Sequence, residues 1–236
     1  MMSYANLRSD MKSCNFSNDY YLEACLNLDA QFVAISHSAA ESWQYSTRFL
    51  DQMTERCYTS YLNIDPGYHV TQAWNVIRLA RILLNEFILE NGRDPPEGPE
   101  GGSSRMAQRK IAACAFDICA SLPQYADCLG LARGVPSTHE DSENSEVLNR
   151  ALDRAGHEHT PAQNMACYTL IFPLVVAGQS KGSPKALKSW IIKELHYMAS
   201  HFCIRNAEIV AQILERGVHV NPWDVYVLLG SYAFVA

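Results

Sequence analysis

The residues whose type and spacing could do chemistry are few, and most of them argue against catalysis. His157-Glu158-His159 sets two imidazoles two positions apart in a polar stretch. A zinc centre needs three or four ligands, and this stretch supplies no others, so it reads as a solvated pair. Cys114 and Cys119 lie five apart in a helical pattern, which turns their side chains more than a right angle from each other. They read as core thiols. His196 groups with Ser189 and Lys193 on the polar side of its helix, and His201 follows near the C-terminal helices; both read as solvated. There is no G-x-S-x-G elbow, no P-loop and no G-x-G-x-x-G run. Gly101-Gly102-Ser103-Ser104 follows no strand and reads as linker. No catalytic, cofactor-binding or metal residue is assigned, no cofactor is expected, and the chain is not expected to be an enzyme.

Charge inside helical apolar arcs is the stronger signal. Arg81 projects between Trp74 and Ile88, and a guanidinium that cannot lose its proton needs a carboxylate if it is buried. Glu194 falls within the arc of Leu187, Trp190, Ile191, Leu195, Tyr197 and Met198. Asp117 sits in AACAFDICA, on the side of Lys110 and Ser121. The expectation is an interior ion pair between Arg78 or Arg81 and Glu194 or Asp117; the alternative puts both acids at exposed helix margins. Trp74, Tyr168, Trp190 and Trp223 are large enough to line a ligand cavity between helices, or to serve as plain core.

These residues need helices to hold them. Val70 to Glu90 contains no Gly or Pro and reads as one long helix, with Val76, Ile77, Leu79, Ala80, Leu83, Leu84, Phe87 and Ile88 in its apolar arc. Trp74 and Ile82 fall outside that arc, so the helix is expected to be covered on most sides. Residues 1–17 read as frayed. Asn18 or Asp19 caps a helix to about Ile35. A second helical region is expected from Ala39 to Tyr61, and Asp65-Pro66-Gly67 turns the chain into the long helix. Polar loops are expected at 91–104 and 134–160, the latter holding at most a short helix near Glu146–Ala155. Further helices are expected at Arg105–Leu122, from Pro161 with a kink at Pro173, at Pro184–Ser200 with Ser183 as cap, at Ile204–Arg216 closed by Gly217, and from Pro222. Strand-like alternation is nearly absent. The expected class is all-α: an irregular multi-helix bundle with no regular repeat, forming one helical domain over 18–236.

The bulk numbers suit that class. The chain has 236 residues, a formal net charge of −6 and eight scattered cysteines, with a sequence pI near 5.7. An acidic chain without clustered Lys and Arg is a poor nucleic-acid binder. No apolar run reaches the roughly 20 residues of a membrane span, and the N-terminus lacks the apolar centre of a secretory signal. An intracellular protein with reduced thiols is expected.

Three blocks in order carry a resemblance: LNLDAQF…AESWQY leading to AWNVIRLARILLNEFI; FDICASLPQY; and ACYTLIFPLVVAG…SPKALKSWIIKELHYMASHFCIRNAEIVAQILERG. Together, over roughly residues 18–217, they resemble the C-terminal regulatory region of fungal binuclear-zinc-cluster transcription factors, the fungal-specific transcription factor domain. The resemblance implies a nuclear regulatory or effector domain. It would control transcription through a protein partner of the transcription machinery or a small-molecule effector, and the resemblance allows a homodimer. The family's basic six-cysteine cluster is not matched here, since no C-x-x-C pair occurs. Direct DNA contact by this chain is therefore not expected. Two other readings stay open: a stand-alone small-molecule binder or enzyme with an interhelical pocket, and an interaction scaffold for a full-length regulator.

Overall fold

The computed structural model describes residues 2–13, 16–51, 53–92, 102–127 and 159–230. Its helices are α1 (Met2–Ser13), α2 (Asn18–Ser38), α3 (Tyr68–Asn91), α4 (Ser103–Ser121), the single turn α5 (Pro123–Ala126), α6 (Pro161–Gln179), α7 (Lys185–His201), α8 (Arg205–Glu215) and α9 (Pro222–Leu229). The class is all-α, with one two-stranded sheet, β1 (Ser46–Phe49) and β2 (Tyr61–Ile64).

Local sequence explains most helix ends. The Ser17 hydroxyl accepts from the Tyr20 amide and starts α2; the cap lies one residue before the expected Asn18. Thr160 and Gln163 form a reciprocal capping box at α6, with Pro161 in its first turn. Asn221 caps α9 by accepting from the Trp223 amide. Gly217, at φ +66°, closes the end of α8. The α7 start differs from expectation. Pro184 occupies the cap position and no side chain caps the helix there, so Ser183 does not play that part.

The long helix is covered nearly all round, as its pattern implies: only His69 and Glu90 of α3 are exposed. Trp74 and Ile82, outside the expected arc, are both buried. The reason is that α3 packs against α2, α4 and α6 at once. Helix α6 is the apolar centre. Its residues from Ala166 to Gly178 are buried apart from Tyr168, and it runs through Pro173 as one helix. Helices α4, α7, α8 and α9 surround it, with Phe172, Leu174, Ile111, Ile118, Leu187 and Ile191 in the shared core.

Two expectations are corrected. Residues 39–61 do not form a second long helix. They hold a single 3-10 turn at Glu41–Trp43 and then β1, which pairs antiparallel with β2 in the register Ser46 to Ile64 and Phe49 to Tyr61. Leu62 and Asn63 of β2 are buried against α4, where Asn63 Nδ2 donates to Asp117 at 3.4 Å. The N-terminus is helical where fraying was expected. Tyr4, Leu7 and Met11 of α1 pack on the apolar cluster of α2 and α3, and Tyr21 of α2 donates its hydroxyl proton to the Asp10 carbonyl at 2.7 Å. The expected polar loops at 91–104 and 134–160 and the short helix near Glu146–Ala155 fall largely or wholly outside the described residues.

Candidate functional site

The structure does bury ion pairs, with other partners than the sequence suggests. Arg81 Nε meets Asp29 Oδ1 at 2.8 Å, Lys110 Nζ meets Asp29 Oδ2 at 2.8 Å, and Asn85 Nδ2 donates to the same carboxylate at 3.1 Å. Asp29 thus ties α2 to α3 and α4. Burial alone would raise its pKa, but the hydrogen bonds and charges of Arg81 and Lys110 outweigh that and hold it below the ordinary value. Glu194 is fully buried and pairs with Arg56 Nη1 at 3.0 Å, while the Arg56 guanidinium lies 3.4 Å from the centre of the Tyr197 ring. Burial raises the Glu194 pKa against the pull of Arg56.

The expected pairing of Arg78 or Arg81 with Glu194 or Asp117 is therefore not what forms. Asp117 is half-buried and accepts from the Tyr61 hydroxyl at 3.0 Å. Arg78 is buried, donates to Asn75 at 2.9 Å and lies over Tyr45 at 4.9 Å.

The four large aromatics do not gather round one space. Trp74 donates to the Trp43 carbonyl at 2.7 Å and meets Tyr45 edge-on. Trp190 donates to the Glu55 carbonyl at 3.2 Å. These two anchor the irregular 39–60 segment to the helices. Trp223 borders a cavity of about 380 Å³ between α1, α3 and α9, under the Arg8 guanidinium at 4.6 Å. Tyr168 alone lines the larger opening, a cleft of about 610 Å³.

That cleft is the best candidate site. It lies where the first turn of α6 meets the corner joining α7 to α8. Met165, Tyr168, Phe202 and Ile204 supply apolar walls; His159, Asn164, Arg205 and Asn206 supply polar groups. Tyr168 is held as a fixed wall, since its hydroxyl donates to the Leu229 carbonyl and accepts from Asn206 Nδ2 at 2.7 Å. The His159 ring packs on Phe202, centroids 4.2 Å apart. The corner is turned by Cys203 at φ +54°, a left-handed conformation that costs a non-glycine residue energy. Cys203 is exposed, whereas Cys25, Cys57, Cys114, Cys119 and Cys167 are buried, as expected of core thiols. Burial pushes Cys114 up to about 11 and Cys25 to about 12.

Sequence reasoning missed Phe202, Arg205 and Asn206 because the corner has no Gly or Pro to mark it. His159 was singled out for a neighbour at 157 that falls outside the described residues, along with Glu158. His196 is more than a third exposed, as expected of a solvated ring, but it is also paired. Its Nδ1 meets Glu208 at 2.8 Å and its Nε2 meets Glu215 at 2.9 Å, so the ring joins α7 to α8. His201 stacks on Tyr197.

Among the described residues, no three His, Cys, Asp or Glu side chains gather as metal ligands. No helix there is long and apolar enough to cross a membrane. Comparison with protein families, with curated proteins and with solved structures gives no match.

Proposed function

We propose that this chain is a nuclear, non-enzymatic regulatory domain of a transcription regulator similar to the fungal binuclear-zinc-cluster factors. In this reading it binds an effector or a protein partner and does not itself bind DNA. The observation that carries the reading is the cleft at the α6 start and the α7–α8 corner. Aromatic, thioether, amide and guanidinium groups line most of it, and these hold a ligand rather than transform it; the Cys203 thiol and the His159 imidazole border it as well. Its walls are the ends of three helices, so occupancy would bias how those helices sit against one another. The all-helical class and the order of the three sequence blocks support the same reading.

The test is a fusion of residues 1–236 to a heterologous DNA-binding domain in a fungal host carrying a reporter. The expected result is reporter output that departs from that of the DNA-binding domain alone and that Met165→Trp, which fills the cleft, alters. Output equal to the DNA-binding domain alone, across carbon, nitrogen and stress conditions, would sink the reading. One observation favours a stand-alone enzyme instead: Cys203 and His159 border the same cleft. Turnover by purified protein that Cys203→Ser abolishes would establish that alternative.

A further inference from the structure

We propose that the α6–α8 cleft takes a small organic acid, with its carboxylate at the Arg205 end and an aryl body against Tyr168, Phe202 and Met165. This rests on the regulatory reading and names the chemical class of the effector.

The argument is one of charge and shape. The cleft, at about 610 Å³, has the size of a small-molecule site. Among the described lining residues, Arg205 is the one permanent charge and none is an acid. Arg205 is exposed, and no described carboxylate stands within ion-pair distance of it. The nearest acid along α8, Glu208, is committed to His196 at 2.8 Å and to Gln212 at 2.9 Å.

Two helix N-termini also open here. Pro161, Asn164 and Met165 belong to the first turns of the 19-residue α6, and Arg205 and Asn206 begin the 11-residue α8. Each brings the positive end of its dipole. The α6 end is already satisfied by its Thr160 cap. The α8 end lacks such a cap, because its cap position holds Ile204, whose side chain has no acceptor. An anion at this corner would meet a guanidinium and first-turn amides together. A cation would meet the guanidinium and both positive helix ends, set against the Asn164 amide oxygen and the ring faces. The rings of Tyr168, Phe202 and His159 and the Met165 thioether favour a flat apolar body.

Calorimetric titration of the full chain with phenylbutyrate, phenylbutanol and phenylbutylamine tests this without reference to transcription. The acid is expected to bind saturably, roughly 10-fold or more tighter than the alcohol, with the amine weaker still. Arg205→Gln, at an exposed position, should bring the acid down to about the alcohol's affinity and cost the alcohol far less; Met165→Trp should weaken both. Equal affinity for acid and alcohol, an acid preference that survives Arg205→Gln, or no binding by any of the three probes would overturn the proposal. None of those results bears on the reporter test, so the two readings fail separately.

Discussion

Glu194 has no water to turn to, whereas Arg56 keeps a fifth of its side chain exposed, 0% against 18%. Removing either partner therefore has unequal consequences. Arg56→Met strands a carboxylate in the core and should cost about 3–5 kcal/mol, part of it lost packing of the guanidinium on Tyr197. Adding Glu194→Gln to Arg56→Met removes the stranded charge and should return a good part of that loss. Urea denaturation of the two single variants and the double variant measures the coupling. A double variant no more stable than Arg56→Met alone would mean the carboxylate is not what the guanidinium compensates. At this scale the sequence showed half of each pair. Helical spacing put Glu194 in an apolar arc and showed that a buried Arg81 needs an acid. The partners lay beyond periodicity: Asp29 is 52 positions from Arg81, and Arg56, 138 positions from Glu194, sits in irregular chain.

The long helices were legible from a buried face; β1, exposed throughout, was not, and neither were α1 and β2, whose buried groups are few. The helices α2, α3, α4, α6, α7 and α8 carry apolar groups at helical spacing, and they form within a few residues of the expected ends. Strand β1 is exposed at all four positions, so alternation between faces never enters its sequence. The turn before α7 shows a further constraint that composition alone hides. A Cβ built at Gly182 would lie 2.7 Å from Ile111 Cδ1, 2.9 Å from its Cγ2 and 3.0 Å from its Cβ. The Cβ of Ile111 is fixed to the α4 backbone, so a rotamer change cannot clear all three. Gly182→Ala should therefore destabilise by about 1–3 kcal/mol through overpacking, and Ile111→Ala in the same chain should relieve the two shortest contacts, leaving the Cβ contact and its own cavity cost. Thermal melts of the single and double variants check this; an alanine at 182 that melts with the parent protein would show that the turn does not rest on α4.

Across the whole molecule, the all-helical class follows from the sum of amphipathic segments, while the cleft does not. Its walls come from chain near 160 and chain near 204, and its corner is turned by a left-handed cysteine where a glycine would have signalled a turn. Asp29 on α2 and Glu194 and His196 on α7 set how stability responds to pH. Asp29 has a depressed pKa, so its contribution is present above its unfolded value of about 3.9 and is lost as pH falls through the folded value. Glu194 is shifted upward, so its contribution is present below about 4.3 and is lost as pH rises through its folded value. His196 acts nearer neutrality. Hydrogen bonds to Glu215 and Glu208 raise its pKa, and both ring nitrogens can donate to carboxylates only in the imidazolium form. Its stabilisation is complete below its unfolded value of about 6.5 and disappears as pH climbs through the folded one. The ring is more than a third exposed, so water screens the effect to a few tenths of a kcal/mol, about a degree in Tm. Calorimetric scans at pH 6 and pH 8 should show the wild-type Tm falling more over that interval than the Tm of His196→Gln. Parallel slopes for the two proteins would mean that the imidazolium does not hold α7 to α8.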